Sequence, residues 1–512
     1  MQNTTALYDA YKPVRRVKTK ATFELIDVDA NINAVPSASD GTAFSILEQT
    51  HDKITDISAK FATLESNYWK LDGSFFTIHN TRNNGQIGYW SNDISDKYGN
   101  INITMSFEFS IPQTSKFFTV IFDNRTKEYA KDFTLTTYSS SGSVLNTKTV
   151  SGNTLSAAVI EMASISYKKL VIKFTKTANP YRRIRVCEVV FGYLQSFTDD
   201  DISSVNIQYT TSIDSQSLPS CAMSITLNNI DKQYNIINPN GIYKYLQKGQ
   251  GINLSIYLDG EYIPLGRYYF ENSTSDDNSM TATINAYDKI YYLDNKKCNI
   301  GTTGTWTIDE AVSAVISDSG EHIEVKIPDR IASRTIGRCI PQGTTHREAL
   351  RMIAQAGMSV CYINRNSVLE FIEPSTQANT EVIDNNKMSK YPKVSDNGLI
   401  NSIKITVKNE YAENSEEKIY TASDIADDET EKLLEINNPL VLNQEVAEWI
   451  LKMQKYRIAY DIEERGNPAL EITDCIQIND VYGENKNGFI INEAFSIGIG
   501  LQGTIRAVTA NE

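Results

Sequence analysis

The chain has 512 residues, 41% of them hydrophobic and 22% charged, with a net charge of −14 at pH 7. That length points to about three or four domains, and the balance of residues excludes a disordered chain. The acidic sum argues against a protein that clasps nucleic acid but not against one that lets DNA pass, since an acidic or neutral wall does not hold phosphate.

The 28 tyrosines, with frequent Thr, favour strands, so a mainly β protein is expected. The opening segment, MQNTTALYDAYKPVRRVKTK, has no apolar core after its basic residues. No later run approaches the roughly eighteen apolar residues of a membrane helix. The expectation is a chain with neither secretory signal nor membrane span, made in the cytoplasm and not exported by a cleaved signal.

Residues 1–65 read as a basic arm and the first part of a β domain, with alternation at Phe23, Leu25, Ile26 and Val28. Over 66–196 the pattern is uniformly β. Short alternating runs occur at Lys116–Asp123, Asp132–Ser139, Ser143–Val150, Lys168–Lys176 and Arg183–Gly192, and Ser139-Ser140-Ser141-Gly142 marks a hairpin turn. One β-sandwich is the economical reading.

Asp199-Asp200-Asp201 follows. Calcium loops alternate ligands with spacers, so this run reads as a solvated linker. Segment 197–299 is a second β region, a barrel-like domain, with Asn238-Pro239-Asn240-Gly241 as a turn. After Leu293 the period becomes helical: Ile308, Val312, Val315 and Ile316 share one face, and Thr307 with Glu310 makes a capping box. Thr345 and Glu348 repeat the box ahead of Leu350 and Ile353, and Gly357 is placed to end that helix. With the strands MSVCYINR and VLEFIEP these make 300–394 a small α+β domain. Segment 395–512 reads as a second barrel-like β domain with one helix near Asn443–Tyr456.

Catalytic arrangements are not evident. The six cysteines (Cys187, Cys221, Cys298, Cys339, Cys361, Cys475) show no C-x-x-C pair and read as free buried thiols. The four histidines (His51, His79, His322, His346) lack metal-ligand spacing, and His346, in a helix first turn, reads as solvated or capping. There is no G-x-S-x-G elbow and no phosphate-cradling loop. Carboxylates are plentiful, so a glycosidase-type pair stays open, but no local context singles one out. No enzyme activity, cofactor or metal is expected.

Ligand binding is best sought in the sandwich, because sugars need flat aromatic faces and planar polar groups. Trp69, Tyr89, Trp90 and Tyr181 are the aromatic candidates, with Arg82, Asn83, Asn84 and Asn179 as polar ones. The competing reading makes Tyr89-Trp90 core aromatics at a strand end and gives the domain a structural or docking role.

Several stretches in this order resemble a family of tail-tip (baseplate) hub proteins of phages and prophages of Gram-positive bacteria. They are FATLESNYWKLDGSF, IGYWSNDISD, EYAKDFTLTTYSSSG, ANPYRRIRVCEVVFG, NPNGIYKYLQKGQ, PLGRYYFENSTSDD, HREALRMIAQAGMSVCYINRNSVLEFIEP and ERGNPALEITDCIQI. They run from about Phe61 to Ile478. Each is weak alone; their order is the specific part. The resemblance implies a homotrimer whose two barrel-like domains per subunit form a pseudo-sixfold ring closing the tail tube. Its partners would be the tube or distal tail protein and the spike, fibre or receptor-binding proteins, with DNA passing unbound. The 66–196 segment would be an insertion resembling a galactose-binding-like (discoidin-type) jelly roll, with cell-wall glycan as its conceivable ligand. Some relatives carry a peptidase extension; this chain ends soon after Arg506, so that activity is not carried over. The location implied is the virion tail tip. Two other classes compete: a carbohydrate-binding host-surface adhesin and a cell-wall hydrolase.

Overall fold

The computed structural model describes residues 17–27, 30, 33–41, 47–51, 65, 88–123, 129–235, 237–238, 241, 246–258, 261–374, 381–413, 416–427, 429–479, 482, 485–498 and 500–510. They are mostly β, in largely antiparallel sheets with few helices, as the composition leads one to expect. They fall into two compact units, within Met1–Thr22, Ser196–Gly241 and Gly251–Glu512, and within Phe23–Gln195 and Ile242–Gln250.

The chain passes from the first unit to the second within β1 (Val17–Ile26). The second unit is built on β2 (Val35–Ala38), β3 (Tyr89–Trp90), β4 (Asn100–Phe122), β5 (Ala130–Tyr138), β6 (Val144–Val150), β7 (Ala157–Thr177) and β8 (Arg185–Val190). They form a seven-stranded antiparallel sheet, ordered β3-β8-β4-β7-β5-β6 with β2 on β4. The five alternating runs of 116–192 fall within β4 to β8 and their flanks. Register shifts between Glu108 and Phe117 break the long β4–β7 ladder, and extra residues of this kind bend a strand. Both halves of β4 therefore face one core, with Met105 and Phe107 from one half, Phe118 and Val120 from the other. Phe191 stands edge-on to Phe107 and Phe109 at 5.5 and 5.2 Å, the favoured aromatic geometry. Gly192 has φ +153°, and a Cβ there would lie 2.1 Å from the Leu25 carbonyl oxygen, so close backbone approach demands glycine.

The chain returns through β9 (Gly192–Phe197). The first unit then lays down β10 (Ile202–Thr210), β11 (Ala222–Asn228), β12 (Gly251–Leu258), β13 (Glu261–Asp276) and β14 (Thr281–Tyr287). Next come α1 (Lys289–Tyr292), β15 (Thr305–Thr307), α2 (Ile308–Ser319), β16 (Glu324–Lys326), α3 (Asp329–Ala332), β17 (Thr335–Gly337), α4 (His346–Ala356), β18 (Val360–Ile363) and β19 (Val368–Ile372). The rest is β20 (Val382–Ile383), β21 (Lys393–Asp396), β22 (Ser402–Val407), β23 (Lys418–Ser423), β24 (Leu433–Asn437), α5 (Glu445–Gln454), β25 (Ile458–Glu464), β26 (Cys475–Asn479), β27 (Asn485–Ile497) and β28 (Leu501–Thr509).

Two joins were not visible in the chain order. First, β10 pairs with β27, Val205 opposite Ile497 through Thr210 opposite Asn492, so one sheet runs β21-β25-β28-β27-β10-β11-β14-β13-β12. Segments 197–299 and 395–512 share it. Second, the core under α2 and α4 (Val312, Val315, Leu350, Ile353) also holds Ile403, Ile405, Val446 and Ile450. The helical layer thus takes in β22 and α5.

Local chemistry explains the helix ends. At α2 both capping-box bonds form: Glu310 N–H donates to Thr307 Oγ1 at 3.3 Å, and Thr307 N–H donates to the Glu310 carboxylate at 2.9 Å. At α4 Thr345 accepts from Glu348 N–H at 3.2 Å, but the Glu348 carboxylate pairs with Arg351 at 2.7 Å. Gly357 ends α4 with φ −85°, not a left-handed value. Its glycine serves packing instead, because a Cβ there would stand 2.0 Å from Ile308 Cδ1 of α2.

Candidate assembly surface

Antiparallel residues directly opposite one another point to the same side of a sheet, so the registers define rows. One row crosses six strands as Asn272, Asn285, Ser224, Asn206, Ser496 and Gln502. The row beside it reads Tyr269, Tyr287, Ala222, Gln208, Ala494 and Thr504. A third runs Thr274, Thr283, Thr226 and Ser204. None of these residues is charged. Hydrogen bonds tie neighbours within the rows, Asn285 to Asn272 at 2.9 Å and Thr226 with Thr283 at 3.3 Å. A shallow groove crosses the rows at Asn206, Ser224, Asn285 and Ser496. Charge returns at the rim, where Arg506 pairs with Asp461 at 3.1 Å. In a chain with 49 basic and 63 acidic residues, so wide an uncharged polar face is a distinct feature.

The other side of the same strands is core: Val205, Ile207, Tyr209, Met223, Ile225, Ile284, Phe495 and Ile505 are all buried. One ion pair lies among them. Arg365, in the turn between β18 and β19, reaches Glu493 of β27 at 2.6 Å, with side chains 2% and 1% exposed. The guanidinium also donates to the Pro468 carbonyl and lies 5.0 and 5.2 Å from the Tyr209 and Phe495 ring centres. Burial raises the Glu493 carboxyl above the usual range, against the pull of Arg365, with Glu464 and Glu471 adding to the rise. This pair fastens the helical layer to the strands that carry the uncharged face.

The glycan candidates are split. Trp69, Arg82, Asn83 and Asn84 lie outside the described residues. Tyr89 and Trp90 are wholly buried. Tyr89 donates to Asp40 at 2.7 Å, and burial with Asp40 close by raises its pKa. Trp90 lies under the Arg185 guanidinium, 5.1 Å from its ring, and Arg185 in turn pairs with buried Glu65. Both aromatics stand where the core reading put them. Asn179 and Tyr181 share one exposed loop, Tyr181 at 47% exposure with φ +57°.

His346 departs from expectation. It is 1% exposed, neither solvated nor the cap, which is Thr345. The six cysteines are buried and outside any disulfide. No helix among the described residues is long and apolar enough to cross a membrane.

No family model matches the chain, and no curated protein matches it. Solved structures similar to it include tail proteins. The 43 kDa tail protein of prophage MuSo2 from Shewanella oneidensis aligns at 16% identity and a TM-score of 0.43, over 62% of this chain and 96% of that one. A tail protein from Neisseria meningitidis aligns at 10% identity and 0.44, over 62% and 94%. Prophage tail protein gp18 from Listeria monocytogenes aligns at 11% and 0.42, over 61% and 91%. At these scores the likenesses are weak, and no role of an individual residue follows from them.

Proposed function

We propose that this chain is a non-enzymatic hub subunit at the tip of a phage or phage-like tail. It would close the tube and join it to the spike or receptor-binding apparatus. The uncharged sheet face carries the reading. Side chains such as Asn206, Gln208, Ser224 and Gln502 offer a passing phosphate backbone transient hydrogen bonds but no fixed cation to hold it. Turned to the lumen of a ring, they form a wall along which DNA slides.

The continuous sheet supports the same arrangement. Pairing of β10 with β27 puts segments 197–299 and 395–512 on one surface. Three copies would then contribute three such double arcs, in the pseudo-sixfold manner that the sequence resemblance implies. Closed symmetry also removes free sheet edges that would otherwise recruit further chains. The second unit sits outside this scheme as a docking or spacer domain. Among the described candidates, Asn179 and Tyr181 are the ones open to a glycan, whereas Tyr89 and Trp90 are buried.

Antibody labelling of particles released from the source strain, viewed by electron microscopy, tests the reading. Label confined to the distal tip of tails is expected. Label absent from tails, but present on cell walls or in the soluble fraction, overturns the reading in favour of an adhesin or wall enzyme.

A further inference from the structure

Three metal-binding side chains meet in the helical layer, away from the sheet face. Cys298 Sγ, an Asp318 carboxylate oxygen and a His346 ring nitrogen all lie within 4.8 Å of one another. They come from the segment after α1, the last turn of α2 and the first turn of α4. Cys298 and His346 are buried, whereas the Asp318 side chain is 28% exposed and leaves a route from solvent.

The histidine contacts carry the argument. Nδ1 lies 3.1 Å from the Lys296 carbonyl oxygen, which can only accept, so Nδ1 bears the proton. A neutral ring then turns its Nε2 lone pair towards Asp318 Oδ2, 2.8 Å away. Two acceptors at that separation repel unless a cation, a proton or a metal ion, lies with them. Cys298 adds a third donor of the soft kind. The bond from Nδ1–H to a backbone carbonyl is also the usual outer contact that orients a metal-bound histidine. We infer that Cys298, Asp318 and His346 form a binding site for a divalent transition-type cation, zinc by the donor set.

The charges support occupancy. A thiolate and a carboxylate cancel the dication, so the filled site is neutral in a buried place. The charged Lys296 ammonium, close in sequence, is engaged with the Ser319 carbonyl at 3.3 Å. Tetrahedral zinc sets neighbouring donors about 3.3–3.6 Å apart, between the 2.8 Å His346–Asp318 separation and the 4.8 Å that bounds the three donors here. On binding, the Cys298 S–H bond gives way to an S–metal bond and the proton passes to solvent, so affinity rises with pH. The ion would tie the end of α2 to the start of α4.

The test uses the full chain, reduced and stripped with chelator, with Co²⁺ as the probe. Uptake of a single equivalent is expected, with a thiolate-to-cobalt charge-transfer band and the visible bands of a tetrahedral ion, both erased by Zn²⁺. Cys298→Ser should keep the far-ultraviolet circular dichroism of the parent and lose the charge-transfer band. Asp318→Asn, at a partly exposed position, should weaken Zn²⁺ binding about tenfold or more. Absence of Co²⁺ uptake by protein whose thiols are reduced would overturn the inference and leave an imidazolium–carboxylate pair. A band unchanged in Cys298→Ser would overturn it equally.

Discussion

Replacing Arg365 with Met should unfasten the helical layer from the sheet. The substitution keeps a long side chain but removes the 2.6 Å pairing with Glu493, the donation to Pro468 and the contacts with the Tyr209 and Phe495 rings. Glu493 is 0% exposed and its Oε1 has no hydrogen-bond partner among the described residues, so its loss of Arg365 leaves a buried, uncompensated carboxyl. Breaking such a pair costs about 3–5 kcal/mol. The cost depends on pH. Because the folded-state pKa of Glu493 is raised, its contribution is fully present below the unfolded value of 4.5 and is lost as pH rises through the folded one. Without Arg365 that folded value rises further, so the gap between parent and variant widens with pH, by up to about 1.4 kcal/mol per pH unit. Hydrogen exchange of β10 and β27 amides under increasing urea, at pH 6 and pH 9, reads this directly. The double variant Arg365→Met with Glu493→Leu should recover most of the loss, since an apolar pair of similar volume is often neutral. A single-variant cost below about 1 kcal/mol, or the same cost at both pH values, would refute the reasoning.

Three further outcomes follow from other sites. Asp288 caps α1 and accepts from Cys221 N–H and Ile290 N–H at 2.9 and 3.1 Å, and burial pushes its carboxyl up to about 6 from 3.8. Its contribution is therefore complete below pH 4 and falls by about 3 kcal/mol as pH rises through 6. Asp288→Asn should remove that slope in urea titrations across pH 4–6, at a fixed cost of about 1–3 kcal/mol for setting an amide donor against a backbone N–H; parallel pH curves would contradict this. Gly357→Ala drives a methyl into Ile308 Cδ1 and should cost about 1–3 kcal/mol by denaturant titration, whereas a left-handed cap glycine would instead be relieved by Asn. Asn206→Lys with Ser496→Lys, directly opposite on the uncharged face, should change stability by about 0.5–1 kcal/mol yet reduce DNA release from assembled particles about tenfold or more, by phage titre. Unchanged titre would remove the lumen assignment.

What the sequence discloses here depends on how local the physics is. Thr307 and Glu310 are three residues apart, and their reciprocal cap was readable because both bonds close within one turn. The alternation of β10 was readable too: Val205, Ile207 and Tyr209 alternate with Asn206 and Gln208. That Asn206 would lie between Ser224 and Ser496 was not, since it depends on register with strands far along the chain. The same limit hid the core shared by Val312 and Ile450 and the pair Arg365–Glu493. Gly357 looked like a conformational cap, and its real neighbour, Ile308, is a tertiary one. His346 looked solvated because helix first turns usually are; Cys298 and Asp318 approach it from segments with no common spacing. For the glycan candidates, Tyr89-Trp90 between Gly88 and Ser91 carried the core signal, and burial agrees with it.

A cryo-electron-microscopy map of the tail tip of particles that carry this chain would show where the uncharged face points. The expectation is three copies in a closed ring, with the row Asn285, Ser224, Asn206 and Ser496 of each turned to the lumen. A map that places this face on the outer surface, or finds the chain elsewhere in the particle, would contradict it.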